Sequence, residues 1–441
     1  MSLVVLACLF EPEPQNTAMM VRQPATPGIV SEEVTTVALH QGTEHAAKFA
    51  THDLANLLWS YPTLELEVEC PLFARVREML VDRVPREVSG ALKNLAAKPI
   101  TSSLAAEVSE FTNSLLEFAW SFSFSEEEMG HLASVVRSGL LDIARVMDQK
   151  CSYESLLGPS SGSRPYSMGP NWDVEIPTVV LDLFGIVAVL KPPHWEVDAR
   201  AGGSEIKSSD TGAPLLSSFL RRKFPKETCP LVHCNEQQFG IIHRLDTPSS
   251  GLILAGKNFE GYYALRWQQD TYELGREYLV LCHGRLPWGP RIINAKIKTT
   301  RTNPVTSKVS DDGKPAWTQA EPLCIVTRDS GEEYSFLAIM IRTGRTHQIR
   351  VHMKHIGHPT VCDGKYTEQV IYNRDRSWCP RNFLHRYRLT FVDTASVLRE
   401  AVAPLPEDLL SVLRSMCPVD TRSAVNFEKL MSGWVPNAGH V

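Results

Sequence analysis

The apolar pattern changes period once along this chain. From about residue 46 to 150 apolar residues recur at helical spacing, as Leu54, Leu57, Leu58 and Tyr61 in THDLANLLWSY and as Leu72, Val76, Met79, Leu80 and Val84 in LFARVREMLVDRV. NSLLEFAWSFSF and HLASVVRSGLLDIARVM repeat those two patterns, and SGALKNLAA reads as a degenerate copy between them. A helical-repeat-like module is expected, because stacked units bury a face that one unit cannot. Beyond it, CSYESLLGPSSGSRPYSMGPNW (151–172) has linker composition. Strand-like runs then follow: GIIH, LILAG, EYLVLCHG, RIINAKIK, AEPLCIVTR, YSFLAIMIRT and YRLTFVD. PLLSSFLRRKF and HQIRVHMKHIG between them are helical candidates. This order predicts an α+β domain over 173–415 with a central, mainly antiparallel sheet. Residues 1–45 lack sustained periodicity and read as a disordered leader, and 416–441 as a peripheral tail.

At 441 residues, with 43% hydrophobic and 22% charged residues, the chain has the composition of a soluble globular protein of two or three domains. No apolar run is long enough to span a bilayer. MSLVVLACLF has no basic residue ahead of its apolar run, so an intracellular site is expected, cytoplasm and organelle being left open. Ten cysteines form no CxxC pair, and the CPLVHC spacing is weak for a metal. His352, His355 and His358 drift around a helix at three-residue steps, so no metal ligand set is expected. The net charge of −5 is unevenly placed. Residues 1–150 hold 20 acidic against 11 basic residues, while 278–310 carry six basic residues and no acid. Basic stretches of this kind fit a polyanion such as RNA.

Chemistry concentrates in FGIIHRLDTPSSGLILAGK. Phe239 to Ile242 and Leu252 to Ala255 have strand composition, and TPSSG carries turn residues, which puts His243, Arg244 and Asp246 at a strand end. A helix starting near His347, with Thr346 as N-cap, would set His347, Arg350 and Lys354 on one side. Arg350 could then reach Asp246 and keep it ionised despite burial. Lys191 ends an apolar strand, and Tyr278 begins another. His243, Arg244, Arg345, His347, Lys354 and Lys191 form the expected RNA-facing set, with His243 and Lys191 shaping the site.

HRLDTPSSGLILAGK, REYLVLCHG, RTGRTHQIRVHMKHIGHPTVCDGKY and FLHRYRLTF, in this order, resemble the RluA-type pseudouridine synthases. NPVTSKVSDDGKPAWTQ resembles the segment that family carries between two of its motifs. The resemblance implies an isomerase that converts uridine in RNA to pseudouridine without metal or cofactor. It implies Asp246 as catalytic carboxylate, Arg350 as its partner, Tyr278 as a stacking ring and candidate for proton transfer, and Arg244 as support for the flipped nucleotide. Whether Asp246 attacks sugar or base, or abstracts a sugar proton, stays open. His194 stands where the family usually has Gly, and the family's S4 module is not recognisable. The helices at 46–150 are loosely similar to organellar RNA-binding repeats and could contact RNA or protein. Ribosomal or transfer RNA is the expected substrate, and a monomer the expected state. A non-catalytic RNA-binding protein on the same fold is the alternative, which the joint presence of Asp246, Tyr278 and Arg350 argues against.

Overall fold

The computed structural model describes residues 49–55, 71–99, 101–123, 130–150, 175–197, 213–300, 305–328 and 331–433. The expected leader, the linker and most of the first expected helix lie outside these residues. By contacts the chain divides into two compact units, Met1–Ser161 with Arg266–Tyr272, and Gly162–Leu265 with Glu273–Val441.

In the first unit three long helices follow one another: α1 (Pro71–Ala97), α2 (Ser102–Phe122) and α3 (Gly130–Lys150). On α1 Val76, Leu80, Val84 and Val88 recur every four residues and are buried. α3 presents Val136, Gly139, Leu140 and Ile143 from its buried side. A Cβ on Gly139 would lie 2.7 Å from Val88 Cγ2, so this glycine sets how closely α1 and α3 cross. SGALKNLAA, expected as a separate copy, forms the last turns of α1 instead. Gly90 costs the helix only ~1 kcal/mol and does not break it, while Val88 and Leu95 keep it buried.

The second unit is built on a mixed, mainly antiparallel sheet of ten strands, so the α+β class holds. Its main order is β1 (Thr178–Asp182), β2 (Ile186–Lys191), β3 (Ser250–Gly256), β10 (Leu384–Val392), β4 (Gly275–His283), β9 (Glu333–Ile341), β8 (Trp317–Thr327) and β12 (Cys417–Pro418). β5 (Arg291–Asn294) pairs with β8, and β11 (Leu398–Val402) with β10. β6 (Ile297–Thr299) and β7 (Ser307–Val309) form a separate hairpin. The central strands are buried along almost their whole length because both faces are covered, and alternation assigns each residue to a face. Tyr278, Val280, Leu337 and Ile339 pack with Leu216 and Leu220 of α4 (Leu216–Lys223) and with Ile349 and Met353 of α6 (Gln348–His355), the helix that follows α5 (Phe259–Asp270). Leu279, Leu281, Phe336 and Ala338 pack on the other face with Leu409 and Leu413 of α8 (Glu407–Arg414), which comes after α7 (Gln369–Arg376).

Residues 416–431, expected as a tail, instead complete the second face. β12 pairs with β8, and α9 (Thr421–Met431) contributes Leu430 to the core while Ser423 Oγ accepts Ile325 N–H at 2.9 Å. Phe239 to Ile242, expected as a strand, makes a 3-10 turn and a single bridge between Ile241 and Ala255. Ser250 and Gly251, expected in the turn, already belong to β3 and pair in parallel with His385 and Arg386 of β10. A Cβ at Gly251 would sit 2.5 Å from the Arg386 backbone, and its φ of +134° is open only to glycine.

Candidate active site

The segment 244–250 leaves the core at Leu245 and returns through Ser250 into β3. Buried basic side chains hold its carbonyls in place. Arg386 Nη2 donates to Arg244 O at 3.2 Å, Lys191 Nζ to Thr247 O at 3.4 Å, and Arg381 Nη1 to Pro248 O at 3.3 Å. His194 N–H adds a bond to Thr247 O at 2.7 Å, and His194 adopts φ +67°, a region glycine enters most easily. Arg381 is itself fixed by Asp408, and its Nη2 donates to Ser250 Oγ at 3.0 Å. Ser250 Oγ lies 2.8 Å from His385 Nδ1. Burial first, and Arg381 after it, hold the His385 imidazole down to about 4, so the ring is neutral; with Nε2 donating to Ala403 O at 3.2 Å, Nδ1 accepts the hydrogen bond of the serine hydroxyl.

Asp246 stands at the centre of this loop. Its Oδ2 accepts from Arg350 Nη1 at 2.7 Å, and its Oδ1 lies 3.8 Å from His347 Nε2. The carboxylate keeps 20% of its surface open. Burial pushes its pKa up, but the Arg350 charge and hydrogen bond, with His347 and Arg244, bring it below the ordinary carboxylate value. Arg350 cannot swing away, because Nε and Nη2 donate to Asp363 Oδ2 and Oδ1 at 2.8 and 2.5 Å. Asp363 also accepts from Thr360 Oγ1 and from the Lys365 and Tyr366 amides. A second carboxylate therefore lies close to Asp246, and its lone pairs are committed to the fold.

Tyr278, expected to stack on the target base, is 3% exposed. Arg386 Nε and Nη2 both donate to its hydroxyl, at 2.8 and 2.5 Å, and the guanidinium carbon lies 5.0 Å from the ring centre. Arg386 Nη1 also donates to Leu252 O at 3.0 Å and to His243 Nδ1 at 2.7 Å. None of these partners is a carboxylate; Arg386 is spent on geometry. Burial, then the Arg386 and Arg276 charges, lower the His243 pKa well below the usual imidazole range. His243 is thus a neutral acceptor inside the site.

The expected RNA-facing set separates into two layers. Lys191 has no exposed surface and donates hydrogen bonds to Pro192 O, Trp195 O and Thr247 O, so it braces the loop from inside. His243 is likewise inside. Arg244 and Lys354 are exposed, and Arg345 is half-buried with Nε on Pro315 O at 2.9 Å. Lys354 does not share the setting of Arg350, which is buried one turn earlier on α6. The N-cap is His347 and not Thr346. His347 sits in the left-handed region at φ 56° and makes no capping bond with its side chain. Gln348 orders this turn, accepting from Thr343 Oγ1 and the Arg345 amide.

Sequence reasoning passed over Asp363, Tyr366, Arg381 and Arg386. An Arg within FLHRYRLTF, a run of strand composition with apolar residues on either side, was the available signal, since a buried charge needs partners. His352 bonds Thr318 Oγ1 and Ala295 O, and His358 bonds His283 O, so these two histidines serve separate contacts. Among the described residues no group of His, Cys, Asp and Glu is arranged to hold a metal, and no helix is long and apolar enough to cross a membrane.

The sheet carries a braced HRLD loop whose aspartate is clamped by Arg350 of α6, and comparison with known proteins gives the family of the chain. The family described as RNA pseudouridylate synthase matches residues 186–355. An uncharacterized RNA pseudouridine synthase of Helicobacter pylori (strain 26695) is 32% identical over 232 residues, 52% of this chain and 76% of that protein. One from Chloroflexus aurantiacus is 36% identical over 178 residues, 40% of this chain and 53% of its own length. Ribosomal large subunit pseudouridine synthase D of Neisseria meningitidis serogroup A is 32% identical over 43% of this chain and 54% of its own length. The matched part thus spans only about half of the last two. The chain belongs to the RNA pseudouridine synthase family.

Proposed function

We propose that this protein isomerises uridine in RNA to pseudouridine, with Asp246 as the catalytic carboxylate. The reading is carried by one observation: Asp246 is held by Arg350 through one oxygen at 2.7 Å, while the other oxygen has no hydrogen bond as short and 20% of the side chain stays open. The reaction breaks the bond between uracil N1 and ribose C1′, forms the bond from C5 to C1′, removes the C5 proton and returns a proton to N1. Both bonds lie inside a stacked nucleotide, so the uridine is flipped out to reach the carboxylate. Asp246 is ionised at neutral pH and can engage C1′ or the base, or take a proton, without first losing one. Arg350 neutralises it and, locked by Asp363, fixes its direction. Tyr278 acts through the hydroxyl that Arg386 holds.

Arg244, Arg345 and Lys354 supply contacts to phosphate around the opening, which bind RNA without reading sequence. Specificity then rests on RNA shape and on contacts beyond these three residues. The name of the Neisseria relative makes large-subunit ribosomal RNA the first substrate to test. Purified protein is incubated with unmodified ribosomal and transfer RNA, and pseudouridine is mapped at single-nucleotide resolution. New sites in one RNA are the expected result. Tight binding with no new pseudouridine in any RNA would favour a binding protein on this fold.

A further inference from the structure

Tyr366 has no part in the isomerisation as proposed, although it touches both Arg350 and His347. It is 7% exposed, and the Arg350 guanidinium carbon lies 5.0 Å from its ring centre. Its hydroxyl accepts the Ser307 N–H of β7 at 2.9 Å and meets His347 Nδ1 at 2.7 Å. A hydroxyl has one proton to give, and here the imidazole nitrogen is placed to take it. The proton of a neutral His347 ring is then left on Nε2, which is 3.8 Å from Asp246 Oδ1, the oxygen that Arg350 does not hold.

We propose that Tyr366 is a positioning residue for the isomerisation, acting through His347: its hydroxyl selects the imidazole tautomer that points an N–H at the free oxygen of Asp246. The inference rests on Asp246 being the catalytic carboxylate. Two further observations agree with it. His347 occupies the left-handed backbone region, uncommon for a residue other than glycine, and that backbone places its ring between Tyr366 and Asp246. Burial first, then the Arg350 and Lys365 charges, outweigh the pull of Asp246 and hold the imidazole at about 4, so the neutral ring is the resident form at pH 7. A gap of 3.8 Å is too long for a hydrogen bond, and such contacts tighten when the substrate engages the carboxylate. The same hydroxyl ties the site to the β6–β7 hairpin, which carries Lys298 and Lys308 and is also held by Lys365 Nζ on Val305 O at 3.2 Å.

Tyr366→Phe removes the hydroxyl and keeps the ring beneath Arg350. At saturating RNA, release of tritium from [5-3H]uridine in the target RNA should slow by about tenfold or more, with Kd for RNA changed less than about twofold. His347→Ala should slow it by a similar factor, and the double variant should be no slower than the slower single one. Ring 15N shifts in histidine-labelled protein, assigned by the peak His347→Ala removes, should report the Nε2–H tautomer and a mixture in Tyr366→Phe. A Tyr366→Phe rate within twofold of the unchanged protein, losses that multiply in the double variant, or a loss carried by Kd would overturn the inference. If the unchanged protein releases no tritium from any RNA, the functional reading fails instead. The tautomer then decides alone, and an Nε2–H signal that persists in Tyr366→Phe rejects the coupling.

Discussion

The loop at 244–250 and the turn at 360–366 each bring one aspartate to Arg350, and the two carboxylates end in different states. Asp363 is 1% exposed and accepts two N–H groups from Arg350, one hydroxyl and two backbone amides. Asp246 accepts one bond from the same guanidinium and stays partly open. A carboxylate offers about four lone-pair positions, so the fold has used those of Asp363 and left most of those of Asp246. Sharing a charge partner does not give two residues one role. On the proposed assignment, the number of unspent acceptor positions separates the reactive group from the brace.

Asp246→Asn should lower the isomerisation rate by about 10^4-fold while the thermal midpoint stays close to that of the unchanged protein. Asp363→Ala should act first on stability, since it leaves a buried guanidinium without its main partner; a loss of about 3–5 kcal/mol in urea unfolding is expected. Gly251→Ala should cost about 2–3 kcal/mol, because a Cβ meets the Arg386 backbone and the φ of +134° is strained for alanine. Lowering pH sharpens the picture of the braces. His347 and His385 are held down to about 4, mainly by burial, whereas an unfolded chain takes up their protons near 6.5. Their contribution is therefore complete above pH 6.5 and is lost as pH falls toward 4, reaching about 2 kcal/mol for each group at pH 5. Urea midpoints at pH 7 and 5 measure it. The smallest effect is expected at Lys354, where Lys354→Ala should weaken RNA binding evenly across sequences and reduce the salt slope by about one.

Much of the fold was legible because strand and helix periods are local. LILAG falls within β3, EYLVLCHG and YSFLAIMIRT overrun the ends of β4 and β9 by one and two residues, and HQIRVHMKHIG contains α6. The failures have physical reasons. Phe239 to Ile242 has strand residues, yet left-handed Gln238 and Phe239 turn the chain and leave one bridge. Ser250-Gly251 has turn composition, but glycine is needed there for β3 to approach β10. At the site, the Asp246–Arg350 pair could be foreseen from a helix face and a neighbouring acid. Asp363 and Arg386 could not, since their partners are set by tertiary packing; Arg386 meets Tyr278 across 108 residues.

The most direct test of the division between the two aspartates sets Asp246→Asn beside Asp363→Asn in one tritium-release experiment, with folding checked by thermal midpoint. Asp246→Asn should release no tritium above background while still binding RNA, and Asp363→Asn should be slower than the unchanged protein and still turn over. Turnover by a folded Asp246→Asn protein, with none by a folded Asp363→Asn protein, would contradict the assignment.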